Sequence, residues 1–332
     1  MTTSPAKRVL VTGGTGFIGR HVTASLQARG FEVHLIVRDR DTARALTADA
    51  FLHQADLFDE SSSATVLRDV APTHLLHLAW VTAHDKFWTS VENFAWVQAS
   101  LNLVQHFTAA GGRRIVCAGT CAEYDWSDEH CSEFTTAARP ATLYGACKNG
   151  LREMVDHYAA LHGIRAAWGR LFFLYGPGEN RARFLPSLIL PLLRGDYADC
   201  QCGDHVRDFL HAADAADAFA ALLDSEVQGA VNIASGGPVR LAVLANQIAA
   251  IAGRPDLLRT GTRPGSPNNP QVLTADTTRL NQEVDWRPRI SLERGLKELW
   301  QEYDQGGNPE ILGPSKGSNA AIKKVDTASS SR

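Results

Sequence analysis

The 332-residue sequence predicts an α/β protein whose centre is a doubly wound parallel sheet. Two observations predict this class. Short β-branched runs alternate with helical patterns along the N-terminal part of the chain, and a glycine-rich turn joins the first run to the first helix. Strands that alternate with helices need crossover connections, which cover both faces of a parallel sheet. The hydrophobic content of 44% suffices for a large core and excludes wholesale disorder.

The predicted elements of the N-terminal part follow one another in a regular order. Strands are predicted at residues 8–12, 32–37, 74–79 and 114–118, and helices at residues 20–29, 42–47 and 94–110. After about residue 175 the sequence pattern changes, because segments that contain glycine and proline separate shorter predicted elements. We expect a smaller, mixed α/β region in this C-terminal part.

The glycine-rich turn has the sequence GGTGFIG at residues 13–19. Backbone N–H groups at a helix N-terminus bind phosphate, and side chains at that point would block its approach. Glycines at the first, fourth and seventh positions allow a tight turn, an open path for a pyrophosphate and close packing of helix on strand. The turn therefore predicts a Rossmann-type dinucleotide site with cofactor contacts from Gly13, Thr15, Gly16, Phe17, Ile18 and Gly19.

The end of the second predicted strand distinguishes between two dinucleotides. A carboxylate there would bind the ribose 2′-hydroxyl of NAD and repel the 2′-phosphate of NADP. The strand ends instead with Val37 and Arg38, and a guanidinium can pair with a phosphate and stack on adenine. We therefore expect NADP as the cofactor, with NAD as the alternative because Asp39 follows directly.

Tyr144 and Lys148 are four residues apart, which places both side chains on one face of a helix. A phenol is a poor acid at neutral pH because its unperturbed pKa is about 10. An ammonium one helical turn away favours the phenolate and brings the proton within reach of transfer. The pair therefore predicts a proton-transfer site.

These motifs resemble the short-chain dehydrogenase/reductase superfamily, and GGTGFIG resembles its extended branch, which acts mainly on nucleotide sugars. In that branch a catalytic Ser or Thr precedes first a nearby Tyr and then the catalytic Tyr. Thr120 fits this register, since it lies 4 residues before Tyr124 and 24 before Tyr144. The resemblance implies that Thr120 orients the substrate oxygen and that Lys148 also binds the nicotinamide ribose.

The resemblance covers roughly residues 7–303 and implies further contacts. Asp56 and Leu57 resemble the pair that caps the adenine, and Leu78 and Ala79 join the cofactor site. Substrate contacts are expected from Arg207, Arg263, Asn180, Arg183 and Cys121. Arg207 belongs to a segment similar to the family's RDF motif, whose Arg meets a substrate phosphate.

The resemblance also implies a division of the chain. We expect a Rossmann domain at residues 5–175, with a returning segment at about 204–240, and a substrate-binding region at residues 176–203 and 241–303. Two residues depart from the family pattern: Phe173 replaces an Asn often found near the sugar diphosphate, and Trp96 replaces another Asn. The contacts of this chain with its substrate are therefore expected to differ from those of the common members of the family.

The residues after Thr120 distinguish among the reactions of the family. Sugar 4,6-dehydratases carry Asp and Glu directly after the Ser/Thr, and uronate decarboxylases carry Glu two positions on, where this chain has Cys121 and Ala122. The cysteine base of 3,5-epimerase/4-reductases lies two positions after the Ser, so Cys121 is one position off and is expected to be a packed thiol. The segment is similar to the GSxxEY pattern of 4-keto-6-deoxysugar reductases.

The sequence therefore favours NADPH-dependent reduction of the C4 ketone of a nucleoside-diphospho-4-keto-6-deoxyhexose. The alternative enzyme is a nucleotide-sugar 4-epimerase with tightly held NAD, which uses the same three side chains without net redox change. A non-catalytic dinucleotide sensor is less favoured, because such proteins typically lose the Tyr or the Lys.

Composition limits the other function classes. The net charge is −3 and the basic residues are scattered, which argues against a nucleic-acid partner. No apolar stretch is long enough for a signal peptide or a membrane span, and six cysteines without paired spacing predict a cytoplasmic protein with no metal site. Residues 307–332 are expected to form a disordered tail. The resemblance implies a homodimer through the helices that carry Tyr144 and residues 94–110.

Overall fold

The computed structural model describes residues 7–47, 49–81, 86–262, 264–265 and 269–305. Arg263 and the tail expected at residues 307–332 lie outside these ranges.

A seven-stranded parallel sheet forms the centre of the fold, in the order β11-β7-β5-β4-β1-β2-β3. Its strands are β1 (Arg8–Thr12), β2 (Glu32–Val37), β3 (Phe51–Gln54), β4 (His74–His77), β5 (Arg114–Thr120), β7 (Arg165–Leu171) and β11 (Gly229–Ile233). All six neighbouring pairs are parallel. This arrangement confirms the predicted doubly wound α/β fold.

Helices cover both faces of this sheet. One face carries α1 (Gly19–Gln27), α2 (Arg40–Leu46) and α7 (Ala212–Asp224), and the other carries α3 (Glu60–Val70), α4 (Glu92–Ala109) and α5 (Leu143–His162). Because side chains alternate along a strand, Val9 and Val11 of β1 belong to the first core and Leu10 to the second. Burial on both faces explains why β1 is a continuous apolar run.

The C-terminal part adds a smaller mixed sheet and its own core. The sheet has the order β12-β10-β14-β6, and a further strand, β8, pairs with β10. Its strands are β6 (His130–Cys131), β8 (Phe173–Tyr175), β10 (Val206–His211), β12 (Pro238–Arg240) and β14 (Val272–Ala275), and β9 (Ala198–Cys200) pairs with β13 (Leu258–Thr260). The helices are α6 (Phe184–Arg194), α8 (Leu241–Ile251), α9 (Thr278–Gln282) and α10 (Leu292–Gln305). Leu188, Leu244 and Leu299 share one core, so α6, α8 and α10 pack together.

The topology determines where a ligand can bind. The chain runs from β1 outward to β2 and β3, and then returns to place β4 on the other side of β1. The carboxyl ends of β1, β4 and β5 therefore meet at one edge of the sheet, next to the point where the strand order reverses. Among the described residues, no helix combines the length and the apolar character needed to span a bilayer.

Candidate active site

The glycine-rich turn has the backbone conformation that a dinucleotide site requires. Gly13 has a φ of +74°, and a Cβ at this position would lie 2.7 Å from the backbone nitrogen of Ala79. The turn after β1 therefore packs directly on the segment after β4, and only glycine allows this contact. Gly16 is exposed, and a Cβ there would meet only the carbonyl oxygen of Gly13, at 3.2 Å. The turn presents an open backbone surface at the start of α1, which fits a pyrophosphate.

A chain of buried hydrogen bonds supports this turn from below. Thr12 Oγ1 lies 2.7 Å from His77 Nδ1, and His77 Nε2 lies 2.8 Å from Ser100 Oγ. Burial and, to a smaller extent, the charge of Lys148 lower the pKa of His77 to about 3. The imidazole is therefore neutral and connects β1, β4 and α4 through both ring nitrogens.

The residues expected at the adenine end lie on exposed loops. Arg38 follows β2 and is exposed. The Asp39 carboxylate accepts hydrogen bonds from the Thr42 hydroxyl and from the Asp41 backbone N–H, and these bonds lower its pKa. Asp39 is thus the N-cap of α2. Asp56 accepts a 3.0 Å hydrogen bond from the backbone N–H of Phe58, which shapes the loop after β3.

Close packing at the start of α5 brings the catalytic candidates together. The Thr142 hydroxyl accepts a hydrogen bond from the Gly145 backbone N–H at 3.1 Å and caps the helix. A Cβ on Gly145 would lie 2.2 Å from the Ala122 carbonyl oxygen, so the first turn of α5 contacts the 3-10 turn Cys121–Glu123. That turn starts directly after Thr120, and the contact therefore places Tyr144 beside Thr120.

Tyr144 lies in an aromatic environment at the edge of the site. The rings of Phe87 and Trp88 meet its ring edge-to-face, with centroids at 4.9 Å and 5.7 Å. Burial raises the pKa of the Tyr144 phenol, and the Thr120 hydroxyl and the charge of Arg183 oppose this rise. The phenol is therefore protonated at neutral pH and faces a hydroxyl and a cation.

Lys148 is buried one helical turn further along α5. Its side chain is 3% exposed, and Nζ donates a 2.8 Å hydrogen bond to the Ala118 carbonyl oxygen of β5. Burial lowers the pKa of Lys148 to about 8, and the neighbouring Glu123 and Cys117 oppose this effect. The structure thus brings Thr120, Tyr144 and Lys148 to the carboxyl end of β5.

Glu123 fixes the corner at which β5 ends. It is fully buried, and its Oε1 accepts hydrogen bonds from the Thr120 backbone N–H at 2.9 Å and from Trp168 Nε1 at 2.8 Å. Its Oε2 accepts a 2.8 Å bond from Arg170 Nε in a buried ion pair. Glu123 is a residue of this corner that was not predicted, although the Thr-x-x-Glu spacing is the signal of the capping box that it forms with Thr120.

The predicted substrate residues have different environments. Arg183 is exposed at the N-terminus of α6, and its charge acts on Tyr144. Asn180 is exposed, and its side-chain oxygen accepts a 2.9 Å bond from the Ala182 backbone N–H. Cys121 is buried in a small apolar cluster with Cys131, and burial raises the pKa of its thiol. The thiol is therefore protonated and unsuited to act as a base.

Arg207 is 3% exposed, and its guanidinium is held by the segment that precedes β14. Its terminal nitrogens donate to the carbonyl oxygens of Gln271 and Pro270 at 3.0 Å and 2.6 Å, and to Asn269 Oδ1 at 2.7 Å. The expected contact of Arg207 with a substrate phosphate stays a prediction. The same holds for Arg263, which lies outside the described residues.

A Rossmann fold with a glycine turn and a Thr–Tyr–Lys set at the end of β5 defines a dinucleotide-dependent oxidoreductase. The model of the "NAD dependent epimerase/dehydratase family" matches residues 9–234 of this chain. The chain therefore belongs to the NAD-dependent epimerase/dehydratase family, as the sequence resemblance implies.

Curated relatives include both reductases and epimerases. The chain is 29% identical over 325 residues to the dTDP-4-dehydro-6-deoxy-D-allose reductase of Streptomyces bikiniensis, with 88% of this chain and 94% of that protein covered. It is 27% identical over 320 residues to the UDP-glucose 4-epimerase of Corynebacterium glutamicum, again with 88% and 94% covered. These relatives indicate an enzyme that modifies nucleotide sugars.

The fold also matches solved structures along most of the chain. The UDP-glucose 4-epimerase of Thermotoga maritima, solved with UDP-glucose, gives a TM-score of 0.77 at 22% identity. The match covers 90% of this chain and 99% of that one. It supports the same overall architecture, including the C-terminal part.

Proposed function

We propose that the protein reduces the C4 ketone of a nucleoside-diphospho-4-keto-6-deoxyhexose with NADPH. The observation that carries this proposal is the complete Thr–Tyr–Lys set beside a turn that holds no further acid or base for dehydration. The two positions after Thr120 are occupied by Cys121, whose buried thiol is protonated, and by Ala122. Glu123 follows, but both of its oxygens are engaged, one of them with Arg170.

The side chains divide the proton chemistry among themselves. The Tyr144 phenol, kept protonated by burial, donates its proton to the ketone oxygen as that oxygen gains charge. The Thr120 hydroxyl aligns the same oxygen, and the Lys148 ammonium one turn away stabilises the phenolate that remains. Bound NADPH would supply the hydride for C4, so that the ketone becomes a secondary alcohol. Arg183, exposed near Tyr144, is the described cation best placed to meet the substrate.

The fit of the cofactor site rests on the glycine turn and on the end of β2. The turn provides the backbone surface for the pyrophosphate, and Lys148 would donate to the nicotinamide ribose. Asp39 already caps α2, whereas the neighbouring Arg38 is exposed, and this difference supports NADP over NAD.

The test follows NADPH absorbance with a panel of nucleoside-diphospho-4-keto-6-deoxyhexoses that differ in base and sugar. Loss of general-acid catalysis predicts that Tyr144→Phe lowers kcat roughly 10²–10⁴-fold. Tyr158→Phe is the matched control, since Tyr158 lies on the same helix and packs on His162. We expect the control to keep its activity. Full activity in Tyr144→Phe would overturn the mechanism.

A 4-epimerase is the second candidate, and its support is the similarity to UDP-glucose 4-epimerases. It predicts interconversion of unoxidised nucleotide hexoses without net consumption of NADPH. Chromatography of UDP-glucose incubated with the NAD-loaded protein separates the two candidates. Epimer formation together with no NADPH oxidation on any ketone would replace the reductase by the epimerase.

A further inference from the structure

Trp80 lies against the catalytic lysine. The residue follows β4 directly after Leu78 and Ala79, and the centroid of its ring is 3.7 Å from Lys148 Nζ. This distance is well inside the range of about 6 Å over which an aromatic face attracts a cation. Indole is the aromatic ring for which this attraction is strongest.

A hydrogen bond to a buried side chain fixes the orientation of the Trp80 ring. Its Nε1 donates a 2.9 Å hydrogen bond to Asn93 Oδ1, and Asn93 is fully buried. The Asn93 amide in turn donates to the Phe87 carbonyl oxygen at 2.7 Å. The ring of Trp80 also packs on Trp96, with centroids 5.9 Å apart. The indole face is therefore held towards Lys148 by α4 and by the segment before it.

The other groups that face the ammonium give it little compensation for burial. On β5, the Ala118 carbonyl oxygen accepts one hydrogen bond and the Cys117 thiol is protonated, since burial raises its pKa to about 12. On β4, His77 is neutral. The remaining neighbours are the Glu123 carboxylate, which is paired with Arg170, and the ring of Trp168, whose centroid lies 6.0 Å from Nζ.

We propose that Trp80 is a positioning residue whose indole face stabilises the charged form of Lys148 and fixes the place of its ammonium. An ammonium has three N–H donors. One donates to the Ala118 carbonyl oxygen, and a second can face the ring of Trp80, which leaves the third for a ligand. The role in turnover rests on the proposed function, in which Lys148 assists Tyr144.

The proposal predicts how Lys148 titrates without the ring. Burial already lowers the pKa of Lys148 to about 8. The cation–π contact stabilises the ammonium against the cost of burial. Without it, the pKa of Lys148 is expected to fall further by about one unit. A lysine with a lower pKa loses its proton at lower pH, so the alkaline limb of kcat/KM moves to lower pH as well.

The test measures the pKa of Lys148 by NMR in protein labelled with ¹³C at lysine Cε. The chain has seven lysines, and Lys148→Met identifies the resonance. We compare wild type, Trp80→Phe, Trp80→Leu and, as the matched control, Trp96→Leu, which removes an indole from the same stack without touching the ammonium. The expected order of pKa values is wild type, then Trp80→Phe, then Trp80→Leu, with Trp96→Leu equal to wild type.

Several outcomes would overturn the proposal. The first is a folded Trp80→Leu protein in which the pKa of Lys148 equals the wild-type value. The second is a Trp96→Leu protein in which the pKa of Lys148 falls as far as it does in Trp80→Leu. If Trp80→Leu does not fold, Trp80→Phe decides, since a phenylalanine face attracts a cation less than indole does. A purely structural role for Trp80 predicts that kcat/KM falls by the same factor at every pH. The proposal predicts instead that the alkaline limb of the kcat/KM profile moves to lower pH.

The NMR measurement needs no substrate and therefore separates the two proposals. Suppose that the wild-type protein reduces none of the ketones, but that Trp80→Leu lowers the pKa of Lys148. This result would refute the proposed function and support the role of Trp80. An unchanged Lys148 pKa, in a protein that reduces a 4-keto sugar, would refute the role of Trp80 and keep the function.

Discussion

Two neighbouring residues of opposite charge after β2 have different roles. The Asp39 carboxylate is the N-cap of α2, where it accepts the Asp41 backbone N–H at 3.0 Å. The Arg38 side chain is exposed at the carboxyl end of the strand, where a ribose 2′-substituent is expected. A carboxylate that caps a helix has less capacity left for ribose hydroxyls. We therefore propose that Arg38 determines which of the two dinucleotides is bound.

Arg38→Gln is expected to weaken the binding of NADPH more than the binding of NADH. Charge-assisted hydrogen bonds contribute about 1.5–3 kcal/mol, which corresponds to a rise of roughly 10- to 100-fold in the KM for NADPH. The KM for NADH, which has no 2′-phosphate, should change little. The measurement is the ratio of kcat/KM values for the two dinucleotides.

Arg40→Gln is the control for this prediction, because Arg40 is also exposed and its guanidinium donates to the Leu52 carbonyl oxygen. An equal loss with NADPH and NADH in Arg38→Gln would contradict the assignment.

Sequence reasoning finds the site residues whose spacing is local. Tyr144 and Lys148 share a helix, and Thr120 has a fixed distance from the nearby Tyr124, so all three could be predicted. Trp80 could not, since its role depends on packing between the segment after β4 and α5, far apart in the chain. A tryptophan next to Ala79 reads as an ordinary core aromatic until Lys148 is placed over its face.

At the scale of elements, the segment between β8 and α6 carries a buried carboxylate. Glu179 is 8% exposed, and burial raises its pKa to about 8, against the opposing charge of Arg183. The segment is attached to α10, because Tyr303 donates to the Glu179 carbonyl oxygen at 3.2 Å and Glu302 accepts the Gly178 N–H at 2.8 Å. The same segment leads to Asn180 and Arg183, so its stability bears on the substrate side of the site.

Glu179→Gln is expected to change how stability depends on pH. A carboxyl whose pKa is raised from 4.5 to about 8 binds more protons in the folded state than in the unfolded state between these values. The contribution of Glu179 to the free energy of unfolding therefore falls as pH rises from 4.5 to about 8, by at most about 1.4 kcal/mol per pH unit. Urea unfolding at pH 5, 6.5 and 8 should show a smaller decline in the variant.

The matched control is Glu153→Gln, since the Glu153 side chain is 57% exposed. It should follow the wild-type pH dependence. Identical slopes for Glu179→Gln and wild type would show that Glu179 is ionised in the folded protein.

The elements themselves were predictable to different degrees. Strands β1 and β2 have the predicted bounds, because each is an apolar run ended by a turn. Helix α2 begins at Arg40 rather than Thr42, since Asp39 caps it. The smaller sheet could not be predicted strand by strand, because short strands such as β6 and β14 pair over long separations, with Cys131 opposite Ala275. Such pairs leave no periodic signal in the sequence.

At the scale of the whole molecule, α4 and α5 leave apolar side chains in solvent. Phe94 of α4 is 61% exposed, and Val91, just before it, is 74% exposed. On α5, Leu161 is 80% exposed and Met154 is 43% exposed. Large apolar side chains exposed on two helices that pack together favour an interaction surface on these helices. These are the two helices through which the family resemblance implies a homodimer.

Phe94→Glu is therefore expected to convert a dimer into a monomer. In a two-fold interface each substitution occurs twice, so the variant loses apolar contact on both sides and adds one negative charge to each copy, two residues after Glu92. Light scattering after size-exclusion chromatography should give twice the chain mass for the wild type and the single mass for the variant. Phe51→Glu is the matched control, because Phe51 is 58% exposed but lies on β3, at the opposite edge of the sheet from β7 and β11. A monomeric wild type, or dissociation by Phe51→Glu to the same extent, would contradict an interface on α4 and α5.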